Sequence, residues 1–412
     1  MKFMTDTQCA YIAGRDKSLP LGGVDCHVYF EFECKDIDEE KLAAVWKKLF
    51  EYHPEMRAGY KNGMMTDKEE LPDCSNMVSR DISYLGNRDK KLVLDGLRSE
   101  ISSRLLHTDQ SETCGLIFVR TGDNDGILIF DWSLVVGDVK SFILILSELA
   151  ELYCGGNVTS PSCTTDKLYE LRKKAASDSQ KKAEEVISAG IQSYAVGAAL
   201  PTISSADVLS CCNYLSEDRY IESADRITHR DDVDALLMYA FTEALCSLTN
   251  DSGLLVNYPC FRRSADEYGC VGDFTDIKLI PVRYDRSLSS EENCLRARGT
   301  YREYMSFSGY KQTKIRRKIS KLFPTQKNIA PVVFSPVCDV PLLSERFLRK
   351  IGGLRYMISQ TPQVWLDVQT LILESRFFVS IVYPRELFDT SFVSSLADGY
   401  AERIRSMIDK GV

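Results

Sequence analysis

Two apolar runs between residues 115 and 132 form the clearest hydrophobic pattern in the chain. Gly115–Arg120 and Ile127–Trp132 are rich in aliphatic and aromatic residues, and they flank Gly122–Gly126, in which every residue is a turn former. Apolar runs of this length on either side of a short polar turn are typical of paired strands. The pattern therefore predicts a β-hairpin over residues 115–132.

A helical pattern follows the hairpin. Three apolar residues recur at the spacing of one helix face, namely Phe142, Leu146 and Leu149. Asp138 precedes them and is a residue type that caps helix N-termini, whereas Gly155-Gly156 follows them and is typical of a helix end. These signals predict a helix over residues 138–154 and indicate that Asp138 has a structural role.

The pattern changes between residues 155 and 200, which predicts a boundary between two lobes, residues 1–175 and 176–412. Asn157 to Thr165 is rich in turn formers, and a polar helical stretch runs from Lys167 to Glu185. The second lobe again mixes strands and helices: a helix over 233–248, strands over 254–261, 274–282 and 331–334, a hairpin over 364–383, and a helix over 391–408. An α/β fold with a groove between two lobes fits this order.

Composition narrows the class of protein. With 412 residues, 44% hydrophobic and 27% charged, the chain is expected to be globular and larger than one ordinary core. It has no apolar run that could span a bilayer and no apolar leader. Its 14 cysteines form no CxxC pair, which argues against zinc or a disulfide framework and predicts a cytoplasmic protein with reduced thiols. The net charge of -8 argues against general nucleic-acid binding.

Six segments of the chain read as distinctive motifs. The most specific is Ile358–Gln369, which reads ISQTPQVWLDVQ. The others are Thr5–Arg15, Leu21–Tyr29, His53–Ala58, Val271–Thr275 and Pro331–Ser335. These segments resemble the signature motifs of the heterocyclization domains of nonribosomal peptide synthetases, within the condensation-domain superfamily. The resemblance covers nearly the whole chain, so the chain is identified as a member of this family.

The resemblance implies a fold and an activity. The expected fold is α/β, with two chloramphenicol-acetyltransferase-like lobes in a V-shaped arrangement around a central tunnel. The expected reaction condenses a carrier-bound acyl donor with a carrier-bound Cys, Ser or Thr and cyclodehydrates the product to a thiazoline or oxazoline. The partners would be peptidyl or acyl carrier proteins or synthetase modules. No cofactor would be bound, because phosphopantetheine arrives on the carrier substrates.

The central motif of the family, DxxxxD with a Ser three positions on, is only partly present. Asp138 and Ser141 match, but Ser133 stands where the first Asp is expected, and a condensation-type histidine is absent at Leu134. Asp131 lies two residues earlier, on the same strand face as Ser133 in a regular strand, and could partly replace the missing carboxylate. The resemblance pairs Asp138 with Arg263 as a structural ion pair.

The resemblance assigns catalysis to Asp367 and Ser335. A carboxyl group can move the protons of the dehydration step, and a hydroxyl can assist it through a hydrogen bond. Without the resemblance, Asp367 would be interpreted as a strand carboxylate facing a cross-strand cation, and Ser335 as a capping hydroxyl. His27 and His53 also match family positions and are interpreted as packing or hydrogen-bonding residues.

Several alternatives stay open from the sequence. The chain could form the amide without closing a ring, or it could be a non-catalytic scaffold that docks carriers. Its opening Met1 favours a freestanding protein over an excised domain. A basic run could bind acidic carrier proteins, although a solvated helix face is the favoured interpretation. The run consists of Lys311, Lys314, Arg316, Arg317, Lys318 and Lys321.

Overall fold

The computed structural model describes residues 2–158, 164–175, 185, 187, 200–307, 321 and 330–411. The described strands are β1 (Lys2–Phe3), β2 (His27–Lys35), β3 (Gly59–Lys61), β4 (Met64–Thr66), β5 (Val78–Asp81), β6 (Cys114–Arg120), β7 (Asp125–Ser133), β8 (Tyr214–Ile221), β9 (Gly253–Cys260), β10 (Asp276–Arg283), β11 (Val332–Pro341), β12 (Gly352–Gln360), β13 (Leu366–Leu373) and β14 (Arg376–Pro384). The described helices are α1 (Asp6–Ala13), α2 (Glu39–Tyr52), α3 (Asn87–Ser102), α4 (Val139–Tyr153), α5 (Thr165–Ala175), α6 (Asp225–Thr228), α7 (Val233–Leu248), α8 (Ser290–Met305), α9 (Glu345–Lys350) and α10 (Thr390–Lys410).

A five-stranded sheet organises the first half of the chain, with strand order β12-β2-β7-β6-β5. Successive side chains of β2 point to opposite faces of this sheet. Phe30 and Phe32 pack with α2 and α4 on one face, whereas Tyr29 packs towards α3 on the other. Apolar residues are buried on both faces, because helices cover the sheet on both sides.

A six-stranded sheet organises the second half, with strand order β10-β9-β11-β13-β14-β8. Helices α7, α8 and α10 cover one of its faces and share a core with it. That core includes Phe241 of α7, Phe334 of β11 and Tyr400 of α10, whose rings contact one another. The opposite face of β13 and β14 is turned towards the first sheet, and Leu371 and Phe378 there join the core of the first half.

One strand crosses between the two halves. β12 comes from the last third of the chain but pairs antiparallel with β2 at the edge of the five-stranded sheet. A second link lies nearby, where the amide of Leu21 donates to the carbonyl of Leu209 and the amide of Gln363 donates to the carbonyl of Leu21. The end of β12 is thereby fixed between the two sheets.

The predicted elements agree with the structure at most positions. The hairpin over 115–132 is confirmed as β6 and β7, and the helix over 138–154 is confirmed as α4 with Asp138 as its N-cap. The predicted strand over 331–334 is longer than expected, because β11 continues to Pro341 through an irregular register. The predicted helix over 167–185 is described only as α5, since most later residues lie outside the described chain.

Candidate active site between the two sheets

Asp367 lies on β13 in the middle of the six-stranded sheet, between β11 and β14. Side chains alternate along a strand, so Leu366 and Val368 enter the core beneath the helices, whereas Asp367 and Gln369 point towards the first sheet. The Asp367 side chain is almost fully enclosed, since only 6% of the residue is exposed. The local strand pattern therefore delivers a carboxyl group into the interior between the two sheets.

Side chains from strands β11, β12 and β13 donate hydrogen bonds to this carboxyl group. The hydroxyl of Ser335 lies 3.4 Å from Oδ1, the hydroxyl of Ser359 lies 3.4 Å from Oδ2, and Nε2 of Gln369 lies 3.1 Å from Oδ2. Burial raises the pKa of Asp367 from 3.8 to about 6, and these donors limit the rise because they favour the ionised form. A carboxyl group with this pKa has both protonation states available near neutral pH, as proton transfer requires.

The structure brings the two predicted catalytic residues together. Ser335 of β11 is the register partner of Gln369 on the parallel strand β13, which places its half-buried hydroxyl on the same face as Asp367. Sequence reasoning did not single out Gln369 or Ser359. The alternation of β13 could have indicated Gln369, which lies two residues after Asp367. Ser359 reaches the site only through the pairing of β12 with β2, which no local pattern reveals.

Asp138 and Ser141 form a buried structural cluster with Arg263. Asp138 caps α4 by accepting from the amide of Ser141 at 2.9 Å, and the guanidinium of Arg263 contacts both Asp138 and the Ser141 hydroxyl. The Ser141 hydroxyl also donates to the carbonyl of Gly272 at 2.8 Å, and the amide of Phe274 donates to Asp138 at 3.2 Å. The cluster therefore connects the start of α4 to the loop after β9. The resemblance had implied a structural ion pair between Asp138 and Arg263, and the two side chains are in contact.

Asp273 is a second buried carboxyl group that sequence reasoning missed. It accepts a hydrogen bond from the Thr5 hydroxyl at 2.8 Å, while its amide donates to the Tyr169 hydroxyl at 2.7 Å. Burial raises its pKa to about 6, and the nearby Asp138 adds to the rise. Asp273 lies within the segment Val271–Thr275 that matched a family motif, which was the available signal. Its contacts join three separate segments of the chain.

The remaining motif residues lie at the end of β7. Ser133 is fully buried, and Asp131 points to the same face and accepts from Nε of Arg104 at 2.5 Å. His27 starts β2, directly opposite Ser133 in register. His53 lies elsewhere, in a buried pair with Glu148 at 2.5 Å, which agrees with a hydrogen-bonding role.

Three further features concern the basic run, metal binding and membrane-spanning helices. The basic run at 311–321 lies outside the described residues apart from Lys321. Across the described part of the chain, no group of three or more His, Cys, Asp or Glu side chains is placed to hold a metal ion. Among the described helices, none combines the length and apolarity needed to span a membrane.

Comparisons with known proteins agree with the family suggested by the motifs, although no protein-family model matches the chain. The chain is 25% identical to pyochelin synthetase PchE of Pseudomonas aeruginosa over 98% of its own length, and it spans 29% of that synthetase. It is 25% identical to phenyloxazoline synthase MbtB of Mycobacterium tuberculosis over 90% of its length, and it spans 27% of that protein.

Solved structures share the fold over almost the whole chain. The cyclization-docking bidomain of EpoB from Sorangium cellulosum superposes with a TM-score of 0.88 at 19% identity, covering 99% of this chain and 85% of the other. The epimerization domain from the third module of tyrocidine synthetase B gives a TM-score of 0.74 at 16% identity, covering 100% and 97%. The predicted α/β fold with two chloramphenicol-acetyltransferase-like lobes is confirmed.

The fold and the relatives together make the chain similar to the condensation-type domains of nonribosomal peptide synthetases. Within that class, the similarity to the EpoB cyclization domain, PchE and MbtB confirms the resemblance to the heterocyclization group that the motifs suggested.

Proposed function

We propose that this chain is a heterocyclization enzyme, which condenses a carrier-bound acyl donor with a carrier-bound Cys, Ser or Thr and closes a thiazoline or oxazoline ring. The observation that carries the proposal is Asp367, a buried carboxyl group with a pKa of about 6 that accepts hydrogen bonds from side chains of neighbouring strands. Similarity to a pyochelin synthetase and a phenyloxazoline synthase supports the same chemistry.

Asp367 can serve the dehydration in two consecutive proton transfers. After the side-chain thiol or hydroxyl has attacked the amide carbon, that carbon carries a hydroxyl group that must leave. The protonated Asp367 donates its proton to this hydroxyl, so the C–O bond breaks and water departs. The resulting carboxylate then takes the N–H proton as the C=N bond forms, which restores the acid and balances the reaction.

Ser335 supports this cycle from one side of the carboxyl group. Its hydroxyl can donate to Oδ1 of Asp367 while Asp367 is ionised and can accept from it once it is protonated. A serine lacks the methyl group that restricts threonine rotamers, so this hydroxyl is less firmly oriented than a threonine would be. We expect it to position the carboxyl group rather than to exchange a proton with substrate.

We further propose a route for the substrates and a cytoplasmic location for the protein. Phosphopantetheine arms of carrier proteins would enter a central tunnel of the V-shaped molecule. The chain itself spans only 29% of the pyochelin synthetase that it matches. The described cysteines are all free thiols, which is compatible with the proposed cytoplasmic location.

Intact-mass analysis of carrier-bound products tests the proposal. The protein is mixed with an acyl-loaded carrier and a cysteinyl-loaded carrier, and the ring is recognised as a product lighter than the open amide by one water. We expect Asp367→Asn to abolish this loss of water. Asp234→Asn is a matched control, because burial also raises the pKa of Asp234, but its side chain accepts a hydrogen bond from Tyr258 in the core beneath the helices of the six-stranded sheet.

The same measurement separates the alternatives. Open amide alone from the wild-type protein would indicate a condensing enzyme, an outcome motivated by Ser133 in the position of the first motif Asp. Carrier binding without any product would indicate a docking scaffold. Ring formation that survives Asp367→Asn would refute the proposed role of the carboxyl group.

A further inference from the structure

Thr361 is the first residue after β12, and its hydroxyl group has two partners inside the candidate site. The thiol of Cys26 lies 3.9 Å from this hydroxyl and can donate to it. Burial raises the pKa of Asp367, and a hydrogen bond from the same Thr361 hydroxyl limits the rise. A hydroxyl group has one hydrogen to donate and two lone pairs that accept. With its hydrogen on Asp367 and one lone pair facing Cys26, the Thr361 oxygen keeps one lone pair free.

Side-chain alternation along β12 explains why Thr361 lies on the same side as Asp367. Ser359 donates to Asp367 from β12, and Thr361 follows two residues later, where an extended chain presents the same face. The contact with Cys26, which directly precedes β2, continues the β12–β2 pairing one step beyond the strand ends. The register therefore brings a second hydroxyl from this part of the chain to the carboxyl group.

Thr361 keeps accessible surface in a site where most side chains are enclosed. Asp367 is 6% exposed, Ser359 2% and Cys26 0%, whereas Thr361 and Ser335 are only half-buried. Ser335 belongs to the six-stranded sheet, and Thr361 follows a strand of the five-stranded sheet. The two accessible hydroxyls thus approach the carboxyl group from different halves of the molecule. A substrate that reaches Asp367 would meet both of them.

The segment after Thr361 is held by both halves of the molecule. Pro362 packs against Gly14 at the end of α1, where any side chain on Gly14 would overlap the proline ring. The amide of Trp365 donates to the carbonyl of Pro331 at 2.9 Å, directly before β11. These contacts fix the position of Thr361 relative to both sheets. Hydrogen-bonding groups that are fixed before the reaction stabilise a transition state most effectively, because they need no reorganisation while it forms.

We propose that Thr361 is a further catalytic residue of ring closure, whose free lone pair accepts a hydrogen bond from the hydroxyl group that leaves. This inference rests on the proposed function. The hydrogen of the leaving hydroxyl points to Thr361 while its oxygen takes the proton of Asp367. The C–O bond then breaks, and the water that forms is held by both residues. Thr361 itself exchanges no proton and forms no covalent bond. Amide formation has no leaving hydroxyl, so it does not use this contact.

Three variants test this assignment in separate ring-closure and condensation assays. Thr361→Val keeps the shape of the side chain and removes the hydroxyl, whereas Thr361→Ser keeps the hydroxyl. Thr242→Val is the matched control, because it makes the same replacement at a buried hydroxyl of α7 that donates to the carbonyl of Met238. Ring closure is followed by intact mass across a pH series, on a carrier already loaded with the open N-acyl-cysteinyl amide, so it bypasses condensation. Thermal melting confirms that each variant is folded.

We expect Thr361→Val to lower the maximal rate of ring closure by about 10- to 100-fold, as for loss of a hydrogen bond to a group that develops charge. Amide formation by the same variant should fall far less. Thr361→Ser should stay within about threefold of the wild type and Thr242→Val within about twofold.

Two results would overturn the assignment. If Thr361→Val shifted the pH profile but kept the maximal rate, Thr361 would only adjust the pKa of Asp367. If Thr361→Ser lost as much activity as Thr361→Val, the hydroxyl would not be the group that matters. A wild-type protein that makes the amide but no ring would instead refute the proposed function itself.

Discussion

The buried carboxyl group of Asp367 should make the folded protein less stable as the pH rises. Its pKa is about 6 in the folded protein and 3.8 as the reference value, so the folded state binds this proton more tightly than the unfolded state does. The contribution of the protonated group is complete below pH 3.8 and is lost progressively between pH 3.8 and 6. Replacing Asp367 with the isosteric Asn removes this titration without creating a cavity.

The size of the effect follows from the two pKa values. Each pH unit across that interval is worth about 1.4 kcal/mol of differential stability. A rise from 3.8 to about 6 therefore makes ionised Asp367 a cost of about 3 kcal/mol above pH 6. The side chain is 94% buried by area, since 6% of the residue is exposed, so solvent screens this cost only weakly. We expect Asp367→Asn to be more stable than the wild type by about this amount at pH 7.5.

Urea unfolding at two pH values checks this prediction. The difference in free energy of unfolding between Asp367→Asn and the wild type is measured at pH 7.5 and at pH 4. All other titrating groups are common to both proteins, so they cancel when the two differences are compared. The gain of the variant should shrink by about 2.4 kcal/mol on going to pH 4, where the unfolded chain is still partly ionised. A gain that is the same at both pH values would refute the argument that Asp367 is held in a desolvated site.

Three further predictions concern neighbouring residues. Ser335→Ala should slow ring closure about two- to tenfold, because it removes one neutral hydrogen bond to Asp367, whereas Ser335→Thr should keep wild-type activity; equal losses in both would contradict this role. Gln369→Leu removes a donor to the ionised carboxylate, so it should raise the pKa of Asp367 and move the alkaline fall of the ring-closure rate to higher pH; an unmoved pH profile would count against it. Arg263→Met should cost about 3–5 kcal/mol in urea unfolding, because Asp138 would remain buried without its cation, and a loss below about 1 kcal/mol would show that the pair is unimportant.

Many helices and strands of the fold could be predicted from the residues within and next to each element. The hairpin of β6 and β7 has a turn-rich loop between apolar runs, and α4 has both a capping residue and apolar residues on one face. The conformation of such elements is determined by their own residues and by the residues directly beside them. The strand β12 is different, because it begins with Gly352-Gly353 and its buried residues include the polar Ser359 and Gln360. Its strand character depends on pairing with β2, so local propensity could not reveal it.

In the candidate site, too, some residues could be predicted from local sequence and others depend on strand pairing. Asp367 and Ser335 could be predicted because each lies in a motif with a recognisable sequence, and the structure places them within hydrogen-bonding distance. The residues that face His27 could not be predicted, because they depend on the register in which β12, β2 and β7 pair. From the sequence, Asp131 was only a possible substitute for a missing carboxylate. The register, rather than the motif, gives it a neighbour.

The contribution of β12 to the first sheet also has a consequence for synthesis on the ribosome. β2 is complete at Lys35, but its outer edge has no partner until β12 emerges roughly 300 residues later. At typical bacterial and eukaryotic translation rates this corresponds to roughly 15 to 60 seconds. During that interval the nascent chain carries an open, largely apolar strand edge, which is a template for pairing with other chains. Slow or stalled translation before residue 352 should therefore favour aggregation, and chaperones that shield the β2 edge should raise the yield of folded protein.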